Sequence, residues 1–207
     1  MPKVNLGVLI SGGGSNLQAI LDEIEKGNIN GEVSLVISDR EGAYGIKRAE
    51  NHGIKGIVID RKNFDNRASF MKAIIDRLKE EKVELVILAG FLSILSKEFI
   101  SQYKNKIINI HPSLIPAFCG EGYYGERVHR AALEYGVKVS GATVHFVDEG
   151  ADTGPVILQE AVPVLDDDTV ETLAARILKV EHRLLPEAVR LFCQGKLDIN
   201  GRKVRRL

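Results

Sequence analysis

Hydrophobic positions in the first half of the chain alternate between two periods. An apolar run over residues 4–10 has the length of a strand, and the apolar residues that follow, at positions 17, 20, 21 and 24, have the i, i+3, i+4, i+7 spacing of an amphipathic helix. Strand-like runs recur at 33–38, 54–60 and 85–88, and helical segments around residues 46–49 and 71–78 separate them. Such alternation predicts a parallel sheet with helices on both faces.

The pattern changes after residue 110. A loop rich in Gly and Pro leads to a short helix near residues 127–135, and the strand-like runs 139–147 and 155–164 are predicted to pair as an antiparallel hairpin. A final helix is expected from about residue 169 to residue 192, started by Asp168 and Glu171 in capping-box spacing.

We found no linker, repeat or low-complexity segment in the sequence. The pattern therefore predicts a single doubly wound α/β domain over residues 1–207, with a mostly parallel sheet and a C-terminal antiparallel hairpin. Residues 1–110 are expected to form a mononucleotide-binding half, and residues 111–207 the other half. In folds of this class, ligands bind outside the carboxyl ends of the strands.

Composition and charge narrow the choice of partners. Of the 207 residues, 28 are Lys or Arg and 28 are Asp or Glu, so the chain has no net field to attract nucleic acid or an anionic membrane. The longest apolar stretch, residues 85–95, is about half of the roughly 20 residues that span a bilayer. Two distant cysteines, Cys119 and Cys193, are expected to be reduced thiols. We therefore expect a cytoplasmic protein with neither a nucleic-acid nor a membrane partner.

The most informative segment is NIHPSLIP, residues 109–116. Alternate residues of a strand point to the same face, so Asn109 and His111 should project together from a strand end, where Pro112 stops the ladder. An amide donor beside a group that titrates near neutral pH suits attack on a carbonyl carbon, because one group can bind the oxyanion while the other moves a proton.

A second segment, SGGGSNLQ at residues 11–18, lies between the first predicted strand and helix. Backbone N–H groups and the helix dipole make such a turn an anion site, for which a single phosphate is the favoured guest. Ser15 and Gln18 have capping-box spacing. The segment lacks the third glycine of a dinucleotide fingerprint and the lysine of a P-loop, and a flexible turn without a ligand is the alternative.

A third segment, HFVDEGADTGP at residues 145–155, contains Asp148, Glu149 and Asp152 in a glycine-broken loop. A carboxylate beside His111 would raise the imidazole pKa and keep the ring protonated near neutral pH. The alternative is a solvated acidic turn. His145 either lines the same cleft or is a structural histidine. His111, His145 and Asp152 could also bind a metal, but the short-spacing zinc motifs are missing, so no metal is expected.

Glu181 falls on the apolar face of the last predicted helix, four residues after Ile177 and four before Leu185. A buried acid requires a partner. A salt bridge with an arginine and a bond to a ligand hydroxyl or amine are both open.

These three segments, in this order, resemble phosphoribosylglycinamide formyltransferase of purine synthesis over essentially the whole chain. The resemblance implies a formyltransferase-like fold and transfer of a formyl group from 10-formyltetrahydrofolate to the amine of 5'-phosphoribosylglycinamide. The folate is then a co-substrate, no metal is required, and the protein is a monomer or a homodimer. Residues 111–207 become the folate-side half.

The resemblance also implies roles for individual residues. The catalytic set would be Asn109, His111 and Asp152. The ribonucleotide would be bound by Gly14, Ser15, Asn16, Leu17, Gln18 and Glu181. The folate would be bound by Arg67, Leu92, Ser93, Ile94, Leu95, Asn109, Asp148, Glu149, Gly150, Ala151 and Asp152, with Arg67 near the acidic tail.

Two features differ from many members of that family: Ser93 stands where an arginine is frequent, and the segment CGEGYYG, residues 119–125, is longer and richer in glycine. Formyltetrahydrofolate hydrolase shares the His and Asp motifs but has an extra N-terminal domain. Methionyl-tRNA formyltransferase adds a C-terminal RNA-binding domain, for which this chain lacks the basic footprint. A non-catalytic nucleotide-binding module would keep the glycine turn without needing Asn109, His111 and Asp152.

Overall fold

The computed structural model describes residues 2–207, which divide into two compact units at the bond between Ile108 and Asn109. The first unit alternates strands and helices as the hydrophobic pattern predicts. In chain order its elements are β1 Val4–Ile10, α1 Ser15–Glu25, β2 Gly31–Ser38, α2 Tyr44–Asn51, β3 Lys55–Val58, a 3₁₀ turn Arg61–Asn63, α3 Arg67–Glu80, β4 Leu85–Leu88 and α4 Lys97–Gln102.

The strands of this unit are parallel, in the order β3-β2-β1-β4. Strand β1 pairs with β2 on one side and with β4 on the other, and Leu6, Val8, Leu9 and Ile10 are fully buried. A strand that is covered on both faces needs a nearly continuous apolar run, which is the pattern found in the sequence.

The second unit begins within β5 Ile107–His111, the strand that contains the division. Its further elements are α5 Glu126–Tyr135, β6 Val139–Phe146, β7 Val156–Pro163, α6 Val170–Cys193, β8 Leu197–Asn200 and β9 Lys203–Arg206. Strands β6 and β7 form the predicted antiparallel hairpin, β7 pairs in parallel with β9, and β8 and β9 form a second hairpin. Helix α6 packs against β6 and β7 and buries one apolar face there.

The predicted α/β class, the mostly parallel sheet and the C-terminal hairpin are confirmed. The last helix begins where it was predicted, but its predicted capping pair, Asp168 and Glu171, was wrong by one residue: Thr169 is the N-cap, and its side chain and that of Thr172 form the capping box. The side chain of Asp168 is buried and forms an ion pair with Arg176, from which it accepts two hydrogen bonds. Helix α4 and strands β8 and β9 are short and were not predicted. Within residues 2–207, none of the helices is both long and apolar enough to cross a bilayer.

Candidate functional site

The two residues that the sequence singled out lie in strand β5, Asn109 at its centre and His111 at its end. The turn after them is fixed to the neighbouring hairpin through Thr143, whose hydroxyl donates to the Ser113 carbonyl at 2.6 Å and accepts from the Ile115 N–H at 3.1 Å. The Ile115–Pro116 peptide bond is cis. The motif thus holds its amide and imidazole at the end of a strand and on a tethered turn.

His111 is 4% exposed and has a partner on each ring nitrogen. Its Nε2 lies 2.9 Å from the carbonyl oxygen of Phe118, and its Nδ1 lies 3.5 Å from Oδ2 of Asp152. A carbonyl oxygen can only accept, so Nε2 carries a proton whether the ring is neutral or charged. His111 therefore offers an N–H donor in both charge states.

Asp152 reaches this position from the turn between β6 and β7. Its backbone is in the left-handed region, with φ of 57°, which is uncommon for a residue other than glycine and is frequent at functional sites. The turn is tight, because a Cβ atom on Gly154 would lie 1.8 Å from the Phe146 carbonyl oxygen. The carboxylate of Asp152 also accepts from the N–H of Gly120 at 2.9 Å.

His145 joins the cluster. Its Nε2 lies 3.1 Å from Nδ2 of Asn109 and 3.6 Å from Oδ1 of Asp152, and its Nδ1 lies 2.9 Å from the carbonyl of Phe146. The Phe146 carbonyl can only accept, which puts the proton on Nδ1 and leaves Nε2 to accept from the Asn109 amide. From the sequence, the role of His145 stayed open. Its position two residues after Thr143, on the same strand face, was the feature that indicated a place in the cleft.

Burial and charge oppose each other at His111. Burial lowers the pKa of His111 and outweighs the neighbouring Asp152 carboxylate and the Phe118 carbonyl, which raise it. The expectation of a raised imidazole pKa was therefore wrong, because desolvation of the ring was not visible in the sequence. For Asp152, burial would raise the pKa, but it is outweighed by effects that lower it, among them the charge of His111 and the hydrogen bond from the Gly120 N–H. The carboxylate is ionised at neutral pH.

A third histidine, His129 on α5, lies close enough to His111 for the two charges to interact. It is 6% exposed, and burial and the His111 charge both lower its pKa. Its Nδ1 has no hydrogen-bond partner among residues 2–207. Sequence reasoning gave this residue no role. Within the same residues, no group of three or more His, Cys, Asp and Glu side chains has the arrangement of a metal site.

The glycine-rich turn of the first unit differs from the sequence prediction in its cap. Gly14, with φ of 68°, is the N-cap of α1, and as a glycine it supplies no side-chain hydrogen bond to the first turn of that helix. The predicted capping box of Ser15 and Gln18 was wrong, because the Gln18 side chain faces other groups: it donates to Asp22 and accepts from Arg48. The first turn of α1 thus follows three glycines and begins at an N-cap residue that has no side chain.

The remaining residues predicted for the ribonucleotide lie on two helices. Asn16 and Leu17 are buried in the first turns of α1, and Glu181 is 9% exposed on α6, on the buried face that the sequence predicted.

The segment predicted to hold the folate, residues 92–95, is tied down by side chains of its own unit. The hydroxyl of Ser11 accepts from the Leu92 N–H at 2.9 Å, and Ser93 donates to the buried carboxylate of Asp39 at 2.7 Å. Arg67 donates to the carbonyls of Ile94 and Leu95. Leu92 and Ile94 nevertheless remain 45% and 59% exposed. The result is a fixed backbone that presents apolar side chains.

In the acidic loop of the second unit, Asp148 stabilises the turn, whereas Asp152 contacts the histidines. Asp148 accepts from the Gly150 N–H at 3.2 Å and from the Thr153 hydroxyl at 2.5 Å, which shapes the turn. A Cβ atom on Gly150 would lie 2.0 Å from that hydroxyl. Glu149 and Ala151 lie in the same turn, and Asp152 is the acid that meets the histidines.

Comparisons with known proteins identify the family of the chain. A model of the formyl transferase family matches residues 4–189. The chain is 42% identical to phosphoribosylglycinamide formyltransferase of Bacillus subtilis (strain 168), covering 94% of this chain and 95% of that protein. It is 45% identical to the trifunctional purine biosynthetic protein adenosine-3 of Gallus gallus, covering 95% of this chain but 19% of that protein. The chain thus spans about a fifth of the length of that trifunctional relative.

Solved structures give the same result. The chain has 51% identity and a TM-score of 0.94 to glycinamide ribonucleotide transformylase 1 from Symbiobacterium toebii, covering 99% of this chain and 94% of that one. A formyltetrahydrofolate deformylase from Pseudomonas syringae pv. tomato has a TM-score of 0.90 at 23% identity, covering 99% of this chain and 66% of the other, and that likeness shows the fold alone. On the family match and the relatives of similar length, this chain belongs to the formyl transferase family.

Proposed function

We propose that this protein transfers the formyl group of 10-formyltetrahydrofolate to the amine of 5'-phosphoribosylglycinamide, giving formylglycinamide ribonucleotide and tetrahydrofolate in purine biosynthesis. The names of the relatives of similar length support this reaction. The observation that carries it is the cluster of Asn109, His111, His145 and Asp152, in which two N–H donors lie beside an ionised carboxylate.

In the proposed reaction the neutral amine of the ribonucleotide attacks the formyl carbon, and negative charge develops on the formyl oxygen. Nδ2 of Asn109 has two N–H groups, of which His145 accepts one, so the other is available to the oxyanion. The Nε2–H of His111 is the second donor, and the formyl oxygen would replace the Phe118 carbonyl as its acceptor. Donors directed at a developing oxyanion are among the largest contributions to catalysis.

The bonds and protons balance without a covalent enzyme intermediate. A C–N bond forms between the amine and the formyl carbon, and the C–N bond to the folate nitrogen breaks. The attacking amine loses one proton, and the departing folate nitrogen gains one. The ionised Asp152 lies 3.5 Å from Nδ1 of His111, the ring nitrogen opposite the donor, so its negative charge offsets part of the cost of burial and favours the protonated form of the ring as donor to the oxyanion.

Binding roles follow from the same proposal. Residues 14–18 hold the ribonucleotide phosphate through the backbone N–H groups that precede Gln18, because the Gln18 N–H already donates to the Gly14 carbonyl. Glu181 binds the glycinamide or ribose side of the ribonucleotide. The folate contacts residues 92–95 and the loop 148–152. Arg67 uses Nε and Nη2 on the carbonyls of Ile94 and Leu95, so its Nη1 is the donor that we assign to the acidic tail of the folate.

The test is to mix the purified protein with 10-formyltetrahydrofolate and to follow tetrahydrofolate release before and after the ribonucleotide is added. Release that depends on the ribonucleotide, with formylglycinamide ribonucleotide as product, supports the transferase. Equal release without the ribonucleotide would identify a hydrolase. No release under either condition, from a protein that binds the ribonucleotide, would identify a binding module and overturn the proposal.

A further inference from the structure

Helix α2 approaches the glycine-rich turn more closely than side chains would allow. A Cβ atom on Gly14 would lie 2.6 Å from Cα of Gly45, and one on Gly45 would lie 2.3 Å from Cδ1 of Ile10. The Gly45 N–H donates to the carbonyl of Gly12 at 3.1 Å. Both glycines are therefore required for the contact, which brings the next turn of α2 to the phosphate-binding turn of the proposed function.

That next turn of α2 contains Arg48. Its Nε donates to the carbonyl of Gly13 at 2.8 Å, its Nη1 donates to Oε1 of Gln18 at 3.1 Å, and its guanidinium carbon lies 5.0 Å from the centre of the Tyr44 ring. Within residues 2–207 it forms no ion pair, and Nη2 makes no hydrogen bond. The guanidinium is thus held by neutral groups, and its charge is not compensated by a carboxylate.

Gln18 has no amide donor left for a ligand. Its Nε2 lies 2.8 Å from Oδ1 of Asp22 and 3.1 Å from Nε2 of His52, and its Oε1 accepts from Arg48. His52 in turn has its Nδ1 2.7 Å from the carboxylate of Glu25, which leaves Nε2 to accept from Gln18. The amide of Gln18 is therefore fixed in the orientation that presents its oxygen to Arg48.

We propose that Arg48 binds the ribonucleotide phosphate through its free guanidinium edge and its charge, and that Gln18 is a positioning residue that acts by holding Arg48. This inference rests on the proposed function, which assigns the phosphate to residues 14–18. An arginine held in advance by neutral acceptors is suited to a phosphate dianion, because its donors are already oriented and its charge is not neutralised before the ligand arrives. The backbone N–H groups and the guanidinium would then share the anion.

The experiment compares Arg48→Met with Lys47→Met in the intact enzyme. Both substitutions remove one positive charge from α2, but Lys47 pairs with Glu50 at the surface. Each variant is assayed with the ribonucleotide and with the same substrate lacking its phosphate. For Arg48→Met we expect the KM for the ribonucleotide to rise about tenfold or more, with little change in kcat or in the KM for the folate. The KM for the dephosphorylated substrate should not change, and Lys47→Met should resemble the parent protein in every assay.

Two further variants separate binding from support of the turn. Arg48→Lys should keep part of the effect, because it retains the charge without the two-point attachment. Gln18→Leu should raise the KM for the ribonucleotide less than Arg48→Met does, and the double variant should equal Arg48→Met, since Gln18 acts through Arg48. Additive losses in the double variant would show that Gln18 touches the phosphate directly and would overturn that assignment.

The proposal fails if Arg48→Met raises the KM equally for the phosphorylated and dephosphorylated substrates, because a structural defect does not depend on the phosphate. It also fails if the KM for the ribonucleotide is unchanged. Either result in a variant that still transfers formyl groups leaves the proposed function intact, whereas absence of transfer by the parent protein would overturn the proposed function itself.

Discussion

Nδ1 of His111 lies 3.5 Å from Oδ2 of Asp152, although the two residues come from a strand end and from a distant turn. The opposite ring nitrogen of His111 donates to the Phe118 carbonyl. The imidazole of His111 is therefore held between a carboxylate and a backbone acceptor, and its Nε2–H is the donor that the proposed reaction uses.

Removing either oxyanion donor should reduce turnover strongly. We expect Asn109→Ala and His111→Ala to lower kcat at least about a hundredfold, because one such donor contributes roughly 3 to 4 kcal/mol to the barrier. The KM for the ribonucleotide should change little in the Asn109 variant. Steady-state kinetics with both substrates, together with circular dichroism to verify folding, measures this, and a folded variant with near-normal kcat would contradict the assignment.

The orientation of Asn109 should depend on His145. His145→Leu removes the acceptor that holds the side-chain amide of Asn109, and we expect kcat to fall about tenfold to a hundredfold. Glutamine can put a carbonyl oxygen near the position of the lost Nε2, so His145→Gln should recover most of that loss. Equal kcat values for the leucine and glutamine variants would show that the acceptor at this position has no part in catalysis.

Stability should fall as the pH drops below about 6.5. Burial lowers the pKa values of His111 and His129, so the unfolded chain binds protons at a higher pH than the folded protein does. The stabilisation is therefore complete above the unfolded pKa and is lost as the pH falls towards the folded values. Urea unfolding between pH 7.5 and pH 5.5 measures the slope, which is at most about 1.4 kcal/mol per pH unit for each histidine.

His129→Gln supplies the control for that measurement, because it removes one of the two titrating groups. We expect a shallower dependence of the unfolding free energy on pH, whatever the absolute stability of the variant. An unchanged slope would mean that His129 titrates alike in the folded and unfolded states.

The bond between Ser93 and Asp39 should support the segment predicted to hold the folate. Ser93→Ala leaves one oxygen of a buried carboxylate without its donor, and we expect a loss of about 1 to 3 kcal/mol in unfolding free energy. The KM for 10-formyltetrahydrofolate should rise while that for the ribonucleotide stays the same. Ser69→Ala, which removes an exposed hydroxyl from α3 of the same unit, is the matched control. An effect of equal size in both variants would rule out a specific role for Ser93.

The sequence by itself determined the order of strands and helices, because buried parallel strands and amphipathic helices impose different periods on apolar residues. It also identified the two polar residues of β5 and the acid-containing turn after β6, because Pro and Gly residues interrupt strands and so mark where each strand ends. The short elements α4, β8 and β9 carry too few residues for a period to be recognised, and the helix cap at Thr169 lay one residue from its predicted position.

Only the tertiary structure decided which side chains meet and in what charge state. The lowered pKa of His111 arises from burial by residues distant in sequence, and the role of His145 depends on which atoms face its two nitrogens. Arg48 reaches the glycine turn because Gly14 and Gly45 allow two backbones to touch. Desolvation and hydrogen-bond geometry are properties of the packed chain, whereas the hydrophobic period is a local property of the sequence. The sequence therefore predicted the main strands and helices, and the tertiary structure decided the hydrogen-bond partners and the direction of the pKa shift at the site.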